Sequence, residues 1–397
     1  MENLKQSITG ELMDNILPFW RTNSIDHEYG GFLGRVTNTL QVEKNAAKGL
    51  ILNARLLWFF AAVYRYTKNE QDYQLALRAY EYLKNNFLDR EFEGYFWMLR
   101  YDGTPLQEIK KLYGQSFVLY ALSEFYQARS SPGVMEDASF LFGLIERYYR
   151  DKENPGYLEV FNRDWKLADD MRLDSNDLNA AKSMNTHLHV MEAFTNYYRV
   201  NPESKVQTEL ELLITLFLEK IIDPKTGHLI TFFNKSWQSQ SGDISYGHDI
   251  EASWLLCEAA EVVHNRELAG KTADIAVKIA QNILDQAVAA DGGIAYESDS
   301  KGNIKDPDTH WWAQAEAMVG FFNAYQLGGN NEFRHAAEKC WEFIEKYISD
   351  HTYGGWFYKV TPGRKVVESE YKISEWKCPY HSGRACLEMI RRLSLAG

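Results

Sequence analysis

The sequence predicts an all-α protein, an (α/α)6 barrel with short β-hairpins between its helix pairs. Three observations predict it: Gly-aromatic segments that recur at a fixed period, two helical stretches between successive segments, and a more apolar first helix in each pair.

The period is carried by Tyr29-Gly-Gly-Phe32, Gly94-Tyr-Phe-Trp97, Gly156-Tyr-Leu158, Gly227-His-Leu229, Gly292-Gly-Ile-Ala-Tyr296 and Gly354-Gly-Trp-Phe-Tyr358, which return roughly every 60 to 70 residues. Several run into a polar turn, as in Arg100-Tyr-Asp-Gly103, Asn162-Arg-Asp-Trp165 and Asp299-Ser-Lys-Gly302. Glycine at the bend between short apolar runs signals a β-hairpin. Between the hairpins, apolar residues recur at helical spacing. The pairs are Leu50–Tyr66 with Asp72–Asn86, Leu112–Arg129 with Val134–Tyr149, and Asn185–Arg199 with Val206–Ile222. Ile250–His264 with Leu268–Ala289 and Trp311–Tyr325 with Glu332–Ser349 follow. His381–Leu395 then pairs with the N-terminal stretch Glu2–Trp20 and closes the ring. A first helix apolar on all sides belongs inside the ring, buried on both faces. No Pro/Ser-rich linker interrupts the series, so residues 1–397 are expected to form a single barrel domain. Its pocket should lie at one end, among inner-helix ends and hairpins.

Composition narrows the ligand. Aromatic residues make up 14% of the chain, with 24 Tyr, 21 Phe and 11 Trp, more than a core requires. Sugar C–H faces stack on such rings. The net charge of −12 argues against nucleic acid or an anionic membrane and suits a neutral small molecule. Neither a signal-peptide-like stretch nor a window apolar enough to span a bilayer is found. Cys257, Cys340, Cys378 and Cys386 show no metal or disulfide spacing, so reduced thiols and a cytoplasmic location are expected. A closed barrel buries its own core, and a monomer is expected.

Histidines mark the candidate site. Of ten, His264, His335 and His351 fall on outer helices or their ends, and His27 and His228 on hairpins, where structural or surface roles suffice. His187, His189, His248, His310 and His381 all fall at predicted inner-helix starts, at one end of the barrel. Asn185 and His189 share a helix face, whereas His187 and His189 diverge by about 200°, so one imidazole can face the lumen while the other packs or braces it. Glu251, three residues after His248, is placed to hold its tautomer. Pro379 suits a first helical turn and puts His381 just inside the last inner helix, with Trp376 on the loop above and Arg384 free to anchor His381 or a substrate oxygen. Arg55 interrupts an apolar run and needs a partner or a ligand. Tyr113 occupies the corresponding place in the second inner helix, and Trp311 and Trp312 do so in the fifth. Spacing leaves open which of the two tryptophans faces the lumen. Trp312 and Glu316 share a face. His-x-His suits a metal on a strand better than on a helix, and no metal site is expected. The sequence contains no GxGxxG, GxxxxGK[ST] or HExxH, so no cofactor is expected.

Four motifs, Asn185-Thr-His-Leu-His189, Gly247-His-Asp-Ile-Glu251, His310-Trp-Trp-Ala-Gln-Ala-Glu316 and Trp376-Lys-Cys-Pro-Tyr-His381, resemble those of the N-acylglucosamine 2-epimerase superfamily. Trp376 and Pro379 resemble its cellobiose 2-epimerase branch, with an added ring for a second sugar. The likeness spans essentially the whole chain. It implies His189, His248 and His381 in the reaction, and Arg55, Tyr113, Asp177, Asn185, Glu251, Trp311 and Trp376 at the sugar; Glu316 joins these as a candidate contact.

The implied reaction is cofactor-independent 2-epimerisation of the reducing-end glucose of a β-1,4-linked disaccharide, cellobiose to glucosyl-mannose. Ring opening makes the C2 proton acidic, a base removes it to give an enediolate, and an acid returns one on the other face. Histidine suits both steps because its ordinary pKa, about 6.5, lies near working pH. His248 and His381 are the expected pair, with His189 assisting ring opening and Arg55 and Tyr113 stabilising the oxyanion. Alternatives are a monosaccharide epimerase or aldose–ketose isomerase, and an (α/α)6 glycoside hydrolase using Asp177, Glu251 or Glu316 as paired carboxylates. A sugar-binding scaffold would explain the tryptophans but not the histidines.

Overall fold

The structure is a computed structural model, and it describes residues 1–395. Its inner helices are α3 (Leu50–Thr67), α5 (Leu112–Ala128), α7 (Met184–Val200), α9 (Tyr246–Val262), α11 (Trp311–Gly328) and α13 (Tyr380–Leu395). Each packs on the next, and α13 returns to α3, so the ring closes as an (α/α)6 barrel. The outer layer holds α1 (Glu2–Gly10), α2 (Leu17–Asn23), α4 (Glu70–Tyr82), α6 (Pro132–Leu144), α8 (Ser204–Leu216), α10 (Arg266–Gln286) and α12 (Asn331–Phe343).

Sequence pattern decides the layer. In α5 every residue from Leu112 to Phe125 is buried, whereas α10 buries the stripe Thr272, Ala276, Ile279, Ala280 and Ile283. The first pattern fits a helix enclosed on all sides and the second a helix with one wet face. Ring closure depends on close backbone approach: a Cβ on Gly383 of α13 would lie 2.3 Å from the Phe59 ring of α3. The outer helices α4, α6, α8 and α12 end in a π-helical turn, at Leu83–Phe87, Ile145–Tyr149, Phe217–Ile221 and Ile344–Ile348, a detail hydrophobic spacing does not foretell.

The hairpins form where expected, with additional pairing between repeats. Met98–Leu99 pairs with Pro105–Gln107 around Gly103, whose φ of 88° suits glycine. The same strand also pairs with Lys48–Gly49, the two residues that lead into α3. Likewise Lys110–Lys111 pairs with Val160–Phe161, and Ile244–Ser245 with Glu297–Ser298. The starts of α3, α5, α7, α9 and α11 are thereby each stitched to the hairpin that follows, which fixes the end of the barrel where the histidines lie. Buried ion pairs reinforce the stitching: Lys48 reaches Asp26 at 2.6 Å and Lys182 reaches Asp151 at 2.9 Å. Among the described residues no helix is long and apolar enough to cross a membrane, and the four cysteines are free.

Candidate active site

The fourth residue of several inner helices holds a hairpin. Gln115 accepts from Tyr95 N and donates to Tyr95 O, Gln314 does the same with Ile294 N and Gly292 O, and Asp249 accepts from Leu229 N. His187 belongs to this set. Its Nδ1 donates to Ser183 O at 2.7 Å, and its Nε2 accepts from Tyr157 N at 3.0 Å. This resolves the choice within His-x-His: His187 braces, and His189 turns inward.

The sixth residue of the same helices points to the barrel axis: Arg55, Phe117, His189, Glu251 and Glu316. There His189 donates from Nδ1 to Glu192 at 2.8 Å and lies 4.8 Å from the Phe117 ring and 5.1 Å from the Tyr113 ring. Burial opposes ionisation of Glu192, but Arg384 and His189 hold its pKa at about 2, so the carboxylate is charged and the His189 proton sits on Nδ1. His381 donates from Nδ1 to Glu316 Oε1 at 2.7 Å. Arg384 and the Trp254 indole also donate to Glu316, so this carboxylate accepts from three sides. His248 Nδ1 meets Ser245 Oγ at 2.7 Å. All three imidazoles are therefore tethered through Nδ1, with no hydrogen bond at Nε2 from the described residues. The Trp312 ring lies 4.8 Å from His248 and 5.4 Å from His381. Burial lowers the pKa of all three, His381 well below the ordinary range, so each is neutral near pH 7.

Arg384 is the hub beneath them. It binds Glu192, Glu251 at 2.5 Å and Glu316 at 2.8 Å, and stacks on Trp254 and Tyr380. The expected anchoring of His381 by Arg384 is indirect, through Glu316. Glu251, Glu316 and His381 offer ligand atoms within 4.8 Å of one another, a grouping able to hold a cation. The guanidinium donates to both carboxylates and occupies that role.

Two expectations change. Glu251 does not brace His248; its Oε1 is taken by Arg384, and Ser245 has claimed the His248 Nδ1. Burial and the neighbouring Glu316 raise the Glu251 pKa, and its Oε2 has no partner. Glu316 is not poised as a sugar contact: it is fully buried and its oxygens are committed to His381, Arg384 and Trp254. Arg55 lacks a carboxylate partner. It donates to Tyr113 Oη at 2.9 Å and lies 4.2 Å over Phe117 and 4.6 Å over Tyr380, leaving Nε unpaired. Asn185 Oδ1 and Trp311 Nε1 are also buried without partners. Asp177 stands apart on the loop between α6 and α7, accepting from Asp174 N at 2.9 Å.

A cavity of about 450 Å³ opens at the rim between Trp97, Lys111, Arg172, Asp174, Glu375 and Trp376. The Trp376 ring lies 6.0 Å from Trp97 and 5.9 Å from Tyr113, and Tyr113 leads on to His189. Lys111 Nζ donates to Arg172 O and Leu173 O, holding the 170–175 segment over this opening. Sequence reasoning missed Glu192, Ser245, Tyr380 and Lys111. Glu192 carried a usable signal, three residues after His189 on the same helix face; the others depend on tertiary neighbours.

The sequence profile described as N-acylglucosamine 2-epimerase (GlcNAc 2-epimerase) matches residues 31–385. The chain is 42% identical to cellobiose 2-epimerase of Bacteroides fragilis, over 98% of this chain and 99% of that one. It is 24% identical to D-mannose isomerase of Marinomonas mediterranea, over 96% of each. Among solved structures, cellobiose 2-epimerase from Bacillus thermoamylovorans superposes with a TM-score of 0.94 at 39% identity, covering 99% of this chain and 100% of that one. With its barrel and nearly its full length thus matched, the chain belongs to the N-acylglucosamine 2-epimerase family.

Proposed function

We propose that this chain is a cofactor-independent 2-epimerase that converts the reducing-end glucose of a β-1,4-linked disaccharide to mannose, with cellobiose as substrate and glucosyl-mannose as product. One observation carries the reading: three neutral imidazoles, each fixed through Nδ1, keep Nε2 unspent at one end of the barrel. A base for C–H abstraction needs such a lone pair, and an acid for its return needs the same atom in the other protonation state. His189, backed by Glu192, assists ring opening. His381, backed by Glu316, removes the C2 proton, and His248 returns one on the opposite face. Arg55 and Tyr113 donate to the developing oxyanion, in a site where burial strengthens the interaction. Trp311 and Trp376 stack on the sugars, and the rim cavity beside Trp376 has room for the second ring. Asn185 and Asp177 are assigned to hydroxyl recognition.

The C1 aldehyde acidifies the C2 proton, so this chemistry draws on neither metal nor nucleotide. The chain acts as one catalytic barrel and as a monomer. A second reading is aldose–ketose isomerisation, favoured by the D-mannose isomerase relative, because the same enediolate protonated at C1 gives a ketose. Incubation with cellobiose in D2O, followed by NMR, tests both. Glucosyl-mannose with deuterium at C2 is expected. A ketose product selects the second reading, free glucose selects hydrolysis, and unchanged cellobiose rejects the disaccharide assignment.

A further inference from the structure

We propose that the Ser245 hydroxyl is a proton relay for His248: it passes a solvent proton to Nδ1 as Nε2 delivers one to C2 of the sugar. The proposal rests on the assignment of His248 to the acid–base pair.

The geometry separates His248 from the other two imidazoles. His189 and His381 are tethered to carboxylates, whereas the His248 tether is a neutral hydroxyl at 2.7 Å. A carboxylate only accepts, which pins its imidazole with the proton on Nδ1 and a lone pair on Nε2. That form is a base. A hydroxyl both donates and accepts, so it supports either tautomer, including the one with a proton on Nε2 that can be given away. Exposure differs in the same sense. His189 and His381 are 3% and 5% exposed, while Ser245 and His248 each keep part of their surface open.

A second observation concerns what Ser245 does not do. It stands at the N-cap of α9, where a serine ordinarily accepts from a first-turn backbone N–H. Ser183, in the corresponding place before α7, does so with Thr186 N at 3.1 Å. Ser245 makes no such bond. Its side chain turns to the imidazole three residues on.

The step balances. The Nε2–H bond breaks as the electron pair of the enediolate forms the new C2–H bond, and the Oγ–H bond breaks as Nδ1–H forms. Oγ recovers its proton from water, and the imidazole starts and ends neutral with its tautomer exchanged. An equal proton, removed from C2 by His381, returns to solvent. Between turnovers Nδ1 gives its proton back through the same hydroxyl and Nε2 regains one from water.

The test compares wild type, Ser245→Ala and Ser245→Thr on cellobiose, with kcat and KM measured in H2O–D2O mixtures. Ser245→Ala should lower kcat about 100-fold or more with KM within about twofold, in the range of general acid–base contributions. Ser245→Thr, which keeps the hydroxyl, should recover most of kcat. The wild-type dependence of kcat on deuterium fraction should be bowed, as two protons move together, and that of Ser245→Ala linear. A Ser245→Ala variant with wild-type kcat, or one whose bowed dependence persists, overturns the relay while leaving the epimerase reading intact. A wild type inactive on cellobiose, mannose and N-acetylglucosamine alike overturns both.

Discussion

His187 and His189 lie two residues apart on α7, both buried, and perform opposite tasks. His187 spends both ring nitrogens on backbone, Ser183 O and Tyr157 N, and holds the hairpin to the helix. His189 spends only Nδ1, on Glu192. The contrast extends around the barrel. Residues at the fourth position, Gln115, His187, Asp249 and Gln314, build the rim, whereas those at the sixth, with Arg384, build the floor. Burial does not distinguish the two sets. For the two histidines an unspent ring nitrogen does, because a satisfied side chain has nothing left to offer a ligand.

The contrast breaks hardest at the imidazoles whose Nε2 is unspent. His381→Asn or His248→Asn should lower kcat about 10³-fold or more while leaving cellobiose binding largely intact, measured by initial rates and by calorimetric titration. A comparable loss in a rim variant would erase the distinction. Next in size is Arg384→Met, which leaves Glu192, Glu251 and Glu316 buried without their cation. Removing one partner of such a cluster costs about 3–5 kcal/mol, readable in urea unfolding. An unchanged midpoint would show that the carboxylates find another counter-charge.

The smallest effect sharpens the contrast. Burial lowers the His187 pKa from 6.5 to about 4, so the unfolded chain binds the proton more tightly than the folded one. The stability this provides is complete above about pH 6.5 and is lost as pH falls toward 4; at pH 5 the loss amounts to about 2 kcal/mol. Gln115 and Gln314 perform the His187 task on α5 and α11, so His187→Gln should fold, keep kcat within about twofold, and lose less stability between pH 7 and pH 5 than wild type. An identical pH slope in the variant would assign the acid sensitivity to other groups.

The fold was legible because it repeats. Glycines at the bends and helices apolar on all sides are local signals, and each repeat restates them. The cross-repeat pairing of Lys48–Gly49 with Met98–Leu99 was not legible, since strands of two residues carry no periodicity of their own. At the site, the place of His189, His248 and His381 at helix starts was legible. Their partners were read less well, and the i, i+3 rule shows why. His248–Glu251 and His189–Glu192 have the same spacing, yet only the second pair forms. Arg384, 133 residues beyond Glu251, draws that carboxylate away, and Ser245 fills the vacancy at His248 Nδ1. Local spacing proposes a pair, and distant charge decides it.

Arg384 has one further consequence. It supplies positive charge where two carboxylates and an imidazole nitrogen converge, but it does so through a covalent bond to the chain. A cation of this kind cannot be chelated, diluted or exchanged for a wrong one. On the proposed mechanism, catalysis that depends on the orientation of His381 is thereby insulated from the supply of trace elements, and treatment with EDTA should leave the rate unchanged.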